Sequence, residues 1–215
     1  MKDLIAAIEE TRWGIRVRFE EGEALDFSKR LWREAPLMQV GQEIELEEMK
    51  NWLLLHQYQP ALHYAVDLLA AQPRAAGEIR RKLRDRKYSS ETVEMVLYKL
   101  EREKLLDDAG YARHYALSRS HREMGERRIR QALKQKGVED SVITQALEAV
   151  DPEEKENGAV THVLKLLRRY AGETDERKKT SKLIAAMARR GYSYGETREA
   201  LERAKERLEQ EEETE

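Results

Sequence analysis

Eight positions recur three times along this chain at identical spacing, and this repeat limits the fold more than any other feature. The first copy runs Ile79, Lys82, Leu83, Tyr88, Val93, Val96, Leu97 and Leu100. The second runs Ile129, Ala132, Leu133, Val138, Ile143, Ala146, Leu147 and Val150, fifty residues on. Another fifty-four residues bring Leu183, Ala186, Met187, Tyr192, Thr197, Ala200, Leu201 and Ala204. Steps of three and four place each group on one face of a helix, and the wider gaps around the middle residue mark a turn between two helices. One such match is the generic rhythm of amphipathic helices. Three with the turn in register are a structural repeat.

The turn carries its own signals. Lys136-Gly137-Val138 and Arg190-Gly191-Tyr192 place a glycine where a helix can end in a left-handed residue. The first copy has Lys87 there, so its turn is expected to be built differently. Ser193 and Glu196 have the spacing of a capping box. A further helix precedes each pair: Ala61 to Ala71, Asp108 to Ser120, and Pro152 to Tyr170. Asp107 is a natural N-cap for the second of these, and Leu106 with Tyr111 has hydrophobic-staple spacing. Asp151 before Pro152 opens the third.

The beginning of the chain reads differently. Ile15, Val17 and Phe19 alternate with Arg16 and Arg18, the pattern of a half-buried strand. Glu20 to Glu23 supplies a turn, and Leu25 with Phe27 returns as a second strand, giving a β-hairpin that must lean on a helix. Ser28 caps a short helix that stops near Pro36, and Leu37 to Glu43 is a connector. Helical spacing then begins at Glu45, with Met49, Trp52, Leu53 and His56 on one face and Pro60 as the expected end. Trp13, Trp32 and Trp52 are expected to weld the hairpin to these helices. The fold class is therefore mainly α: three tandem three-helix repeats in an elongated array behind a short N-terminal β-hairpin. The expected segments are 1–44 with the hairpin, 45–106 with a linking helix and the first repeat, 107–150, 151–208, and an acidic, disordered tail over 209–215.

Composition agrees with an array. Only 40% of the 215 residues are apolar and 38% are charged, which suits the thin core that stacked repeats bury. The chain has no cysteine, which excludes disulfide scaffolds, thiolate zinc modules and cysteine nucleophiles. No apolar run reaches the length of a membrane span, and the N-terminus has no secretory pattern, so a cytoplasmic protein without membrane association is expected.

The formal charge of −2 hides alternating blocks. Arg74 to Lys136 holds 18 basic and 10 acidic residues, whereas Glu139 to Asn157 holds seven acids and one base. Val160 to Tyr194 is basic again, with nine against three, and Glu196 to Glu215 has nine acids against four bases. A basic middle suits a polyanionic partner. The candidate contact residues are Arg80, Arg81, Lys82, Arg84, Arg127, Arg128, Arg130, Lys134 and Lys136, set against the plainer reading of a solvated helix face with local ion pairs. The second repeat has a helix–turn–helix outline, but packing alone produces that outline, so operator recognition is not expected. Asp107 and Asp108 are read as cap and dipole partner rather than as an acid/base or metal pair. The histidines at 56, 63, 114, 121 and 162 lack metal-ligand spacing, and no phosphate-binding glycine loop or nucleophile elbow is present, so neither metal, cofactor nor enzymatic activity is expected. Tyr88, Tyr98, Tyr111, Tyr115 and Tyr192 stand at apolar slots and are expected in the core rather than stacked on bases.

The second repeat also resembles a known family, the bacterial RecX regulatory proteins. The resemblance rests on Leu105-Leu106-Asp107-Asp108, Tyr111-Ala112, Gly125, Arg128-Ile129, Leu133 and Lys136-Gly137-Val138, and extends over roughly 13–205. Lys87 in the first repeat and Lys179, at the position of Gly125 in the third, depart from the pattern. The resemblance implies a non-enzymatic modulator of the RecA recombinase. Family members bind along the groove of the RecA–DNA filament, bridge neighbouring subunits, and suppress ATP hydrolysis, strand exchange and filament persistence. The expected partner is thus the recombinase filament, met by a monomer, with weak direct contact with DNA as an additional interaction. The alternatives are a helical module acting on nucleic acid directly and a general helical-repeat adaptor.

Overall fold

The computed structural model describes residues 2–214, which fall into two compact units divided between Asp107 and Asp108. The first unit opens with strands β1 (Lys2–Thr11), β2 (Gly14–Phe19) and β3 (Ala24–Ser28), then helix α1 (Lys29–Glu34), strand β4 (Glu43–Glu45) and helices α2 (Leu46–Ala71), α3 (Ala76–Asp85) and α4 (Ser90–Arg102). The second holds α5 (Asp108–Ser120), α6 (Glu126–Gln135), α7 (Asp140–Glu148), α8 (Pro152–Arg169), α9 (Glu176–Arg190) and α10 (Tyr194–Thr214). No helix among the described residues is long and apolar enough to cross a membrane.

The expected hairpin is present as β2–β3, with Ile15 opposite Phe27 and Val17 opposite Leu25. It is part of a larger antiparallel sheet of order β3-β2-β1-β4. The sequence reading missed β1, because Leu4-Ile5-Ala6-Ala7-Ile8 lacks clean alternation; a register shift between Ile5 and Ala7 breaks the period. It also took Glu43 for connector, whereas Glu43 to Glu45 pair with β1. The inner face of the sheet buries Ile5, Val17, Phe19, Leu25 and Phe27 against Leu46, Met49 and Leu53 of α2. Trp32 and Trp52 flank Phe27 at ring-centroid distances of 5.5 and 6.5 Å. Trp13 does not join them and remains 58% exposed.

Pro60 does not end the helix at 45–60; it lies inside α2. An interior proline removes the donor for the carbonyl four residues back, here His56, at a cost of about 3 kcal/mol. The helix continues because each half is anchored in a different core. Its first half packs on the sheet, and its second half buries Ala61 and Ala65 against α3 and α4 of the first repeat.

The three repeats bury the residues that the spacing selects. Ile79, Leu83, Val93, Val96, Leu97 and Leu100 form the first core, Ile129, Leu133, Ile143, Ala146, Leu147 and Val150 the second, and Leu183, Met187, Tyr192, Ala200 and Ala204 the third. Each inter-helix turn is the same Schellman motif. Tyr88, Val138 and Tyr192 donate their N–H to the carbonyls of Leu83, Leu133 and Met187 at 3.3, 3.1 and 3.1 Å. The expectation that the first turn is built differently is overturned: Lys87 adopts the left-handed conformation at φ 64°, like Gly137 at 82° and Gly191 at 99°. A side chain there costs about 1–2 kcal/mol. The caps expected at Ser193 and Asp151 form. Ser193 N donates to Glu196 Oε2 at 2.6 Å and Glu196 N to Ser193 Oγ at 3.2 Å, while Asp151 Oδ1 accepts from Glu153 N at 2.8 Å.

The acidic C-terminal segment is not a disordered tail over 209–214, because α10 continues through it to Thr214. After Gly195 it contains no helix breaker, and Arg198 pairs with Glu202 one turn on at 3.5 Å. Residue 215 lies outside the described residues.

Candidate functional site

The second and third repeats meet in a close backbone contact. Gly125 N, just before α6, donates to Arg190 O at 3.1 Å. A Cβ on Gly125 would stand 2.4 Å from Gly191 C, and one on Gly191 would stand 2.6 Å from Arg128 Cβ. Glycine is therefore required on both sides of this junction. Arginines complete it by capping helix ends: Arg128 Nη1 donates to Arg189 O at 2.8 Å, and Arg190 donates to Glu123 O and Arg122 O at 2.9 and 2.8 Å. Cations suit helix C-termini because the last carbonyls there lack partners.

Glu123 holds the other side of the junction. It sits in a left-handed conformation at φ 56° after α5, and its carboxylate accepts from His162 Nδ1 at 3.1 Å and from Lys165 Nζ. Burial pushes this carboxyl up, but the hydrogen bonds from Lys165 and His162 outweigh that and leave it below the ordinary range. Burial and the nearby Glu123 carboxylate push the Tyr192 hydroxyl well above its usual value.

The junction frames a cleft of about 550 Å³ between α5, α6 and the end of α9. Arg119, Arg127, Arg128 and Arg189 line it together with Tyr115 and Met124, and no carboxylate stands among its described lining residues. Arg119 lies 4.9 Å over the Tyr115 ring, and Lys136 lies 5.7 and 5.8 Å over Tyr111 and Tyr115. These two tyrosines stack at 6.1 Å between centroids. Tyr115 is therefore cleft wall and not core. Tyr98 is 64% exposed, so the core expectation holds for Tyr192 and, in part, for Tyr88. Four guanidiniums around a half-open hollow can hold phosphates or carboxylates bidentately, and the aromatic floor offers a stacking surface.

The nine residues singled out from the sequence divide between the two units. Arg80, Arg81, Lys82 and Arg84 lie on α3 in the first unit, where Arg80 makes two hydrogen bonds to Glu94 at 3.0 and 2.8 Å and Arg84 approaches it at 3.8 Å. In the second unit Arg130 donates to Thr144 Oγ1 at 3.0 Å, and Lys134 pairs with Asp140 at 2.8 Å. Arg127 and Arg128 enter the cleft, and Arg128 is also engaged by the junction. The reading missed Arg119 and Arg189. Both approach α6 only through tertiary contacts, although Arg189 stands two residues before the turn glycine whose fit against Gly125 brings it there.

Models of the three successive three-helix domains of RecX match residues 61–100, 107–147 and 153–201. The regulatory protein RecX of Amycolatopsis mediterranei is 37% identical over 140 residues, covering 64% of this chain and 79% of that protein. The one from Chlorobaculum tepidum is 32% identical over 142 residues, covering 66% and 86%. A crystal structure of a regulatory protein RecX matches with a TM-score of 0.63 at 28% identity, over 95% of this chain and 99% of that one.

Proposed function

The chain belongs to the RecX family of regulatory proteins, and from that membership we propose that it regulates homologous recombination by binding the cytoplasmic RecA–DNA filament as a monomer. In this reading it suppresses the filament's ATP hydrolysis and strand exchange by occupancy, with no reaction of its own and no cofactor. The observation that carries the docking surface is the acid-free arginine cleft of the second unit. A filament presents DNA phosphates and acidic side chains, and preorganised guanidiniums recognise both. Arg127 and Arg189, both exposed, are the leading contacts.

The test is the DNA-dependent ATPase of RecA titrated with the purified protein. Suppression that saturates is expected; unchanged turnover at saturating ratios overturns the reading. Tyr115 in the cleft wall favours a second reading, direct binding of a single strand through stacking. A salt series separates the two. Direct binding weakens steeply with salt and gains nothing from recombinase, whereas filament binding exceeds binding to bare DNA of equal length.

A further inference from the structure

A second cleft, of about 560 Å³, lies wholly within the first unit, between the β1–β2 turn, α1, the middle of α2 and the α3–α4 turn. Its walls collect two backbone irregularities. Pro60 interrupts α2 there, leaving the His56 carbonyl without its usual helical donor. Lys87 occupies the left-handed turn position that the other two repeats give to glycine, and its side chain lines the cleft. Strained positions gather where a site over-determines them. A lysine held where glycine is the unstrained choice, facing a cleft, points to a use for its charge.

The other side chains fit one ligand class. Trp13 is 58% exposed at the tip of the β1–β2 turn, and its position is fixed from both sides. Thr11 Oγ1 accepts from Gly14 N at 3.2 Å and donates to Gly14 O at 3.0 Å, and a Cβ on Gly14 would stand 1.9 Å from Phe27 O. Arg86 lies 3.6 Å over the face of Tyr64 and hydrogen-bonds the Tyr88 side chain, which leaves the remaining donors of its guanidinium fork for a ligand. Arg30 also lines the cleft; Glu34, its carboxylate neighbour there, pairs with it at 3.3 Å. Three cations thus face one carboxylate, beside an indole and the ring of Tyr88. Aromatic rings with convergent cations recognise a flat base joined to a phosphate.

We propose that this cleft binds a nucleotide unit, with the base against Trp13 and the phosphate held by Lys87, Arg86 and Arg30. The proposal does not rest on the filament reading, since the cleft belongs to the other unit and requires no recombinase. Its ligand is either a free nucleotide or one residue of a single strand, which share this chemistry.

The test titrates the full chain, without recombinase, against fluorescein-labelled dT12 by anisotropy and against dTMP by tryptophan quenching. The experiment is repeated with Trp13→Ala and with Lys87→Gly, all in an Arg127→Glu/Arg189→Glu background that silences the other cleft. Both variants should weaken dT12 binding, Trp13→Ala by about tenfold or more. Lys87→Gly should lower the salt slope by about 0.7, one strand phosphate, while keeping or raising the melting temperature. Lys87→Gly keeps the test decisive even if Trp13→Ala fails to fold. A dTMP affinity matching that of dT12 identifies a mononucleotide site, and a dT12 affinity at least tenfold tighter identifies a strand. Binding of both probes that is absent, or unchanged by Lys87→Gly, overturns the proposal.

Discussion

Helices α3 and α6 occupy the same register in two copies of one repeat, and both carry a run of cations, yet their charges are disposed differently. Arg80 and Arg130 are equivalent positions, as are their partners Glu94 and Thr144. In the first copy a carboxylate across the helix pair accepts two hydrogen bonds from the arginine; in the second the arginine donates to a hydroxyl and reaches the Asp140 carboxylate only at 3.9 Å. At the helix start the contrast reverses the local charge. Gly77-Glu78 in the first copy correspond to Arg127-Arg128 in the second. The difference teaches that a repeat sets where side chains point, while partner choice lies in a few positions outside the apolar pattern.

The largest expected effect breaks this comparison on the α6 side. Arg127→Glu with Arg189→Glu should weaken filament binding on the order of a hundredfold, because each reversal places a repulsive charge in an arginine-lined hollow. The melting temperature should move little, since neither side chain takes part in the junction hydrogen bonds described above. Arg80→Glu with Arg84→Glu should change filament binding less than about threefold and instead lower stability, by crowding two further carboxylates against Glu94. Equal effects from the two pairs, measured by co-sedimentation with filaments, would abolish the distinction.

Next comes the scaffold of the cleft. Ala75 and Gly125 are also equivalent, and alanine is buried without conflict in the first copy. Gly125→Ala should nevertheless cost about 2–3 kcal/mol, because its methyl would meet the backbone of Gly191. Urea unfolding of the full chain measures this; a loss below about 0.5 kcal/mol would mean that the junction yields.

Glu123→Gln is expected to cost less, about 1–2 kcal/mol near neutral pH, by weakening the contacts to His162 and Lys165. The folded carboxyl lies below its unfolded value. Its contribution is therefore complete above the ordinary carboxylate value of about 4.3 and is lost as pH falls through the folded one. The stability gap between wild type and variant should stay level from about pH 8 to 6 and close below about pH 4. A gap that widens on acidification would contradict the assignment.

Legibility in the sequence followed the length over which a signal is written. The three helix pairs, their capping residues and the β2–β3 hairpin were readable because period, cap and turn chemistry act over a few residues. Helix α2 was not, because the continuation past Pro60 depends on two cores that the sequence does not place side by side. The turn at Lys87 was misjudged for a related reason: the packing of Leu83 and Tyr88 imposes a left-handed residue whose side chain argues against it. Only Arg127 and Arg128 of the cleft's four arginines were found, since Arg119 and Arg189 reach it through the Gly125–Gly191 contact. Charge counting located the basic blocks but treated paired and cleft-lining arginines alike.

That last difference yields the smallest and sharpest prediction. Glu94→Thr would replace the carboxylate that Arg80 meets with the hydroxyl that Arg130 meets at Thr144. Arg80 holds the Glu94 carboxyl below its ordinary range, so the acid stays charged and the arginine engaged at neutral pH. The pair is substantially solvent-exposed, and its loss should cost at most about 0.5 kcal/mol. With α3 outside the interface, weakening the Arg80–Glu94 pair while deleting a negative charge should leave filament affinity unchanged. A filament-facing helix would instead show a gain of about two- to threefold at low salt, smaller at high salt where screening shortens the reach of exposed charge. Such a gain would mean that α3 faces the polyanion and is held back by its own glutamate. An unchanged affinity would place α3 outside the interface and leave recognition to the α6 cleft alone.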